Sequence, residues 1–308
     1  MWPTEQEWRA TVPQRLRRAL DRWQLTPGRP IDGGSVSHVL DVTTADGRSA
    51  VLKLSFPHRE AEHEAAALRR WDGHGAVRLL DVDADDPFVF LLERCVPGVR
   101  LVDRDDLPAA ERLTIAATLL TGLWDRGGPS EPSGSSSPSS PSSPSGPFER
   151  VADVTAEWAD LVEERARRFA PGFDEGLVRR AAELLRVLPG SARRYVVVHG
   201  DANPGNVLAA ERSPWLVIDP KPMIGDPAYD LSPLVVQVDD PFRHGDPVRV
   251  LGERLALLAD VTGEPTERIA AWCTARLVEA ALWSASRGAP ADGADAMSRA
   301  ALTDRLAG

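Results

Sequence analysis

Val196-Val197-Val198-His199-Gly200-Asp201-Ala202-Asn203-Pro204-Gly205-Asn206 is the most informative run in the 308-residue chain. Three β-branched residues read as a short buried strand, and Pro204 and Gly205 force a loop soon after it. Asp201 and Asn206 therefore stand five residues apart on a constrained loop at a strand end. A second junction of the same kind follows. Leu216-Val217-Ile218 reads as another buried strand, and Asp219 closes it, thirteen residues beyond Asn206.

Taken singly, Asp201 and Asn206 would be turn formers and Asp219 a strand cap. Taken together they divide a chemical task. Asp201 can accept the proton of an attacking hydroxyl. Asn206 offers a neutral amide oxygen, and Asp219 an anionic one, to a single Mg2+ ion. Magnesium takes one or two protein oxygens and completes its shell with phosphate oxygens and water. A base, an Asn and a second Asp in this order are the parts of a kinase-type phosphoryl-transfer site. His199 reads as a residue that fixes loop geometry rather than as a base.

Such a site needs a nucleotide-holding half, and the upstream sequence supplies candidates. Val51-Leu52-Lys53-Leu54 places Lys53 inside an apolar strand, where a buried cation requires an anion such as ATP phosphate. A helix expected over 58–71 buries Ala61, Ala65 and Leu68, and Glu64 shares that face, so Glu64 is the expected partner of Lys53. Glu60 is second choice and Glu62 faces away. Gly33, Gly34 and Ser35 precede the first strand, where turn amides could cradle phosphate. Backbone groups from Glu93 to Cys95, before the Pro97-Gly98 break, are expected to bond adenine. Cys95 itself reads as a small packing residue.

Periodicity gives a helix over 5–25, ended by Pro27, Gly28 and Pro30, then strands at 37–44 and 49–54 joined by an Asp46-Gly47 hairpin. Further strands are expected at 77–82 and 87–93. From 108 onward helical patterns dominate. Residues 127–147 are almost all Ser, Pro and Gly and read as an extended insertion between helices. The division is thus 1–95, mostly antiparallel sheet with one helix, and 96–308, mainly helical. A net charge of -10 argues against a nucleic-acid partner and suits a cationic small molecule. The two cysteines, Cys95 and Cys273, imply neither a metal site nor a disulfide framework. With no apolar run of membrane length and no leader-like start, a cytoplasmic protein is expected.

His199-Gly200-Asp201 with Asn206, followed by Ile218-Asp219, resembles the aminoglycoside phosphotransferases. Ile218-Asp219-Pro220-Lys221-Pro222, Gly225-Asp226-Pro227-Ala228-Tyr229-Asp230-Leu231 and Gly75-Ala76-Val77-Arg78-Leu79-Leu80 resemble the streptomycin 6-kinase and hydroxyurea-kinase branch. The resemblance implies an α+β, two-lobed, protein-kinase-like fold that uses ATP and Mg2+ to phosphorylate a small-molecule hydroxyl. It makes Asp201 the base, Asn206 and Asp219 the metal ligands, and Lys53 with Glu64 the phosphate-side pair. Asp226 and Asp230 would brace the catalytic loop. A cationic acceptor would need anionic walls, for which Asp239, Asp240 and Glu279 are the candidates. Streptomycin or a related aminoglycoside is the expected acceptor. Hydroxyurea or another small hydroxylated metabolite is the alternative, and a nucleotide-binding regulator without catalysis is a second one.

Overall fold

The computed structural model describes residues 2–31, 37–126 and 146–308. The segments containing Gly33, Gly34 and Ser35, and most of the Ser/Pro/Gly run, lie outside the described residues.

The chain opens with helix α1 (Glu5–Arg22), started by a capping box between Thr4 and Glu7. Five antiparallel strands follow: β1 (Thr26–Pro30), β2 (Ser37–Thr43), β3 (Ser49–Ser55), β4 (Leu79–Asp83) and β5 (Asp86–Glu93). They are ordered β1-β2-β3-β5-β4. The β2–β3 hairpin closes at Gly47, whose positive φ of 82° is one that a side chain would resist. Ala19 of α1, with Leu25, packs on Leu40, Val42, Leu52, Leu54, Val89 and Leu91, one face of this sheet. The opposite face carries Phe90 and Leu92 into the main core of the molecule.

Two elements here differ from the sequence reading. Pro27, Gly28 and Pro30 end α1 as expected, yet the same residues form edge strand β1. A strand with prolines is tolerated there because only one side of it must donate to a neighbour. The helix expected over 58–71 is broken. A single 3-10 turn spans Arg59–Ala61, and α2 runs only from Glu64 to Trp71. The turn brings the Arg59 guanidinium across to Glu149 at 2.7 Å and to Glu157 at 2.5 Å.

After a cis Val96–Pro97 bond, β6 (Pro97–Arg100) leaves the first sheet. It pairs instead with β9 (Val207–Ala210), which pairs in turn with β10 (Trp215–Val217). A second small sheet joins β7 (Glu149–Arg150), β11 (Met223–Gly225) and β8 (Val196–Val198). Around these lie α3 (Ala109–Arg126), α4 (Val151–Phe169), α5 (Glu175–Val187), α6 (Ala228–Gln237), α7 (Pro247–Thr262), α8 (Thr266–Ser286) and α9 (Pro290–Asp304). Strand β8 antiparallel to β11, and β9 antiparallel to β10, together frame the two loops that matter: 199–206 after β8, and 218–222 between β10 and β11. Among the described residues, no helix is long and apolar enough to cross a membrane.

Cys95 and Cys273 are both buried, 3% and 0% exposed. Burial pushes the Cys95 thiol up to about 11 and the Cys273 thiol up to about 12. Neither thiol should therefore react with an aromatic disulfide reagent in the native protein at pH 8, whereas both should titrate after denaturation in guanidinium. Fast labelling of either one in the native state would contradict the packing described.

Candidate active site

The loop 199–206 is held by buried groups before any ligand is considered. The Asp230 carboxylate, on the first turn of α6, accepts the His199 N–H at 2.7 Å and the Gly200 N–H at 2.8 Å. It also accepts the indole N–H of Trp124 at 3.0 Å. Asp230 is wholly buried, and burial pushes its carboxyl up against the pull of these donors.

His199 ties the loop to the neighbouring strand end. Its Nδ1 accepts the Asp201 N–H at 3.3 Å, so Nε2 carries the proton and donates to the Ile218 carbonyl at 3.0 Å. Burial pushes the imidazole below its usual value, and its ring stacks on Trp71 with centroids 6.1 Å apart. Both ring nitrogens are thereby spent, which leaves none for proton transfer to a substrate. The Ile218 N–H donates in turn to the Asn206 carbonyl at 2.9 Å. Asp219 follows in the left-handed region, at φ 56°.

Gly200 and Lys221 lock the second contact between the loops. The Lys221 N–H donates to the His199 carbonyl at 2.8 Å. A Cβ on Gly200 would lie 1.8 Å from the Lys221 carbonyl oxygen, and its φ is +83°, so only glycine fits there.

These constraints bring Asp201, Asn206 and Asp219 together with two lysines. Lys53 Nζ reaches Glu64 at 2.7 and 2.8 Å and Asp219 Oδ1 at 2.5 Å. Lys221 Nζ reaches Asp201 Oδ2 at 2.7 Å and Asp219 Oδ2 at 3.4 Å. Burial disfavours the charged form of each lysine, but the facing carboxylates outweigh it and hold both protonated. Burial likewise opposes ionisation of Asp219, but Lys53 and Lys221 outweigh it and keep the carboxyl well below its usual range. Asp201 is also lowered, with Lys221 and a hydrogen bond from Asn203 overcoming burial. Glu64 is the exception: burial pushes its carboxyl up despite the Lys53 ammonium.

Asn206 points its amide nitrogen at the Asp201 carbonyl, 2.9 Å away. Its amide oxygen accepts no hydrogen bond among the described residues and is the atom of the right chemistry for a hard cation. Among the described residues, no group of three or more His, Cys, Asp or Glu could hold a metal unaided. One amide oxygen and one carboxylate instead fit an ion that brings phosphate oxygens with it, which is how magnesium binds with a nucleotide.

The remaining sequence candidates fall elsewhere. The Glu93 carboxylate is a strut: it accepts Arg212 Nε at 2.7 Å and the Arg78 N–H at 3.0 Å. The Glu93 N–H donates to the Arg78 carbonyl at 2.9 Å, and the Cys95 carbonyl accepts from Arg94 at 3.1 Å. Of the backbone donors expected to meet adenine, Glu93 is thus spent within the protein. The Cys95 N–H has no partner among the described residues.

Asp226 does not brace the catalytic loop. It accepts from Arg268 at 2.8 Å and from the Trp272 indole at 2.5 Å, and so ties the start of α6 to α8. Asp239 faces His244 at 3.2 Å, Asp240 faces Arg299 at 3.4 Å, and Glu279 faces Arg165 at 2.8 Å. Asp239 also lies 3.9 Å from Arg254, so each of these three carboxylates has an arginine of the chain beside it.

Lys221 was not singled out by the sequence as a site residue. The available signal was its place between Pro220 and Pro222, two residues past Asp219, on a backbone with little freedom.

The fold and the clustered site define a phosphotransferase of protein-kinase-like architecture that acts on small molecules. Solved structures of that architecture superpose over nearly the whole chain. A thermostable mutant of aminoglycoside phosphotransferase APH(4)-Ia, in a ternary complex with ADP and hygromycin B, matches with a TM-score of 0.57, 18% identity and 94% of this chain covering 97% of that one. The choline kinase LicA from Streptococcus pneumoniae matches with a TM-score of 0.60, 13% identity and 96% of this chain covering 99% of that one. Residues 22–288 match the family model described as aminoglycoside/hydroxyurea antibiotic resistance kinase. Streptomycin 6-kinase of Streptomyces glaucescens is 36% identical over 299 residues, 97% of this chain and 89% of the relative. Hydroxyurea phosphotransferase of Kitasatospora aureofaciens is 37% identical over 278 residues, 90% of this chain and 74% of the relative. The chain belongs to the aminoglycoside/hydroxyurea antibiotic resistance kinase family.

Proposed function

We propose that the protein transfers the γ-phosphoryl group of ATP, with Mg2+, to a hydroxyl of streptomycin or a related aminoglycoside, and so acts in antibiotic resistance in the cytoplasm. The observation that carries the reading is the meeting of Asp201 and Asp219 on Lys221, with Lys53 on the other oxygen of Asp219 and Asn206 bonded to Asp201. The relative named streptomycin 6-kinase, 36% identical, supports the acceptor class. Residues 1–95 would form the nucleotide side of the cleft, with the unpaired Cys95 N–H offered to the adenine edge. Residues 96–308 would supply the catalytic loops and the acceptor side.

Asp201 stays ionised at neutral pH and accepts the proton of the acceptor hydroxyl. The Asn206 amide oxygen and the Asp219 carboxylate would hold Mg2+, which when bound neutralises the phosphate oxygens. Lys53, oriented by Glu64, supplies positive charge on the phosphate side. His199 and Asp230 keep the loop in place without touching substrate. Catalysis in this arrangement is mainly positioning and charge stabilisation.

The test is ATP consumption by the purified protein against a panel of aminoglycosides, hydroxyurea and simple alcohols. Streptomycin-dependent turnover with a phosphorylated product is the expected result. The match to a hydroxyurea phosphotransferase at 37% identity favours hydroxyurea as the second reading. Turnover with hydroxyurea and not with streptomycin would select it, and no turnover with any acceptor would overturn both.

A further inference from the structure

Pro220-Lys221-Pro222 is the one part of the second catalytic segment to which neither base nor metal chemistry gives a role. We propose that Lys221 is a catalytic residue that contacts the transferred phosphoryl group and stabilises its charge. The inference rests on the phosphotransferase reading above.

The geometry leads there in three steps. First, the Lys221 ammonium lies between Asp201 Oδ2, at 2.7 Å, and Asp219 Oδ2, at 3.4 Å. Second, the acceptor oxygen must come within hydrogen-bond reach of Asp201, while an ion held by Asp219 binds phosphate oxygens. The group in transit is therefore bounded by these two carboxylates, and Lys221 is the cation between them. Third, the ammonium is placed by rigid backbone. Its own N–H is bonded to the His199 carbonyl at 2.8 Å, and its carbonyl packs against Gly200 so closely that no side chain fits. Prolines on both sides restrict the backbone further. A lysine serving only to neutralise carboxylates would not need that placement.

Lys53 does not duplicate it. Lys53 is held from the sheet side by both oxygens of Glu64 and touches only Asp219 Oδ1, the other oxygen of that carboxylate. Lys221 approaches from the acceptor side, next to the base. The two ammonium groups thus contact different oxygens of Asp219, Lys53 beside Glu64 and Lys221 beside Asp201.

In the step itself, a bond forms between the acceptor oxygen and the γ-phosphorus. The bond from that phosphorus to the β,γ-bridging oxygen breaks, and ADP departs with the electron pair. The acceptor proton passes to Asp201. Lys221 keeps its own proton throughout and acts by charge and hydrogen bonding on the non-bridging oxygens, where charge is spread in the transition state.

The test compares binding of two nucleotides, with Mg2+, by calorimetry: ADP, and the non-hydrolysable β,γ-imido analogue of ATP. A contact with the γ-phosphoryl predicts that Lys221→Met weakens the imido analogue about tenfold, while ADP affinity changes less than about twofold. Lys221→Arg, which keeps the cation, should recover part of the preference. Turnover of Lys221→Met should fall about a hundredfold or more through kcat, with little change in the KM for acceptor. A role limited to holding Asp201 and Asp219 in place would weaken both nucleotides alike, or neither, and that result overturns the inference. Wild-type protein that binds neither nucleotide would instead overturn the phosphotransferase reading itself.

Discussion

Asp201→Ala loses measurable turnover, a fall of about 10²–10⁴-fold in kcat, while the protein stays folded. The carboxylate is partly open to the cleft, and its donors, on Lys221, Asn203 and Asn206, belong to half-buried residues, so its removal strands none in a dry interior. Lys221 keeps Asp219 within 3.4 Å, and Asn206 keeps the Asp201 carbonyl, which alanine also provides. The melting temperature should accordingly stay within about 4 °C of wild type, the shift expected for about 1 kcal/mol in a chain of this size. Nucleotide binding should persist, because Lys53, Glu64 and Asp219 are untouched. A variant that phosphorylates at close to the wild-type rate would remove Asp201 from the mechanism. A variant that unfolds would show that the loop depends on this carboxylate for its structure.

Asp230→Ala has the opposite profile. Here a wholly buried carboxylate accepts three N–H groups, from His199, Gly200 and Trp124. Alanine leaves all three donors buried without a partner, at about 1–3 kcal/mol each. Because these penalties are not additive, the expected loss is about 3–5 kcal/mol. Urea unfolding should show it as a fall in midpoint at unchanged slope. Turnover should drop as well, since the His199–Gly200 backbone that sets the position of Asp201 is released. Asp230→Asn keeps one acceptor oxygen and should recover part of the stability. A loss below about 1 kcal/mol for the alanine variant would mean that water or a local shift satisfies the freed donors.

The two variants separate what the sequence made visible from what it did not. Val196-Val197-Val198 and Leu216-Val217-Ile218 announced strands, and polar residues at their ends announced the loops. The spacing, together with the base–Asn–Asp order of a kinase-type site, was therefore enough to group Asp201, Asn206 and Asp219. Lys53 and Glu64 were legible for a different reason: a lysine in an apolar strand demands an anion, and helical periodicity selected one glutamate of three. Several hidden features depend on a residue that meets another far along the chain. Arg212 takes up Glu93 across 119 positions. Asp226 turns to Arg268 and Trp272 on α8 rather than to the loop beside it. Asp239, Asp240 and Glu279 show no partner in the sequence because the arginines beside them, Arg254, Arg299 and Arg165, sit on other elements. The edge strand at Thr26–Pro30 was concealed by its own prolines, which signal a break unless the neighbouring strand is known. The 3-10 turn at Arg59–Ala61 interrupts an apolar pattern that is continuous in sequence.

The two faces of the first sheet have unequal standing in how the molecule comes apart. Its outer face and α1 share a small apolar cluster of their own. Its inner face belongs to the same cluster as the helices of the other half: Leu68, Trp71, Phe90 and Leu92 are grouped there with Leu120, Trp124, Val198 and Leu231. A fragment ending near residue 95 would expose that inner face to water. The first sheet is thus not a detachable module, because its inner face shares one core with the helices that follow it. Helix α1 can fray before that core opens, so its amides should exchange with solvent ahead of those in α3 and β8.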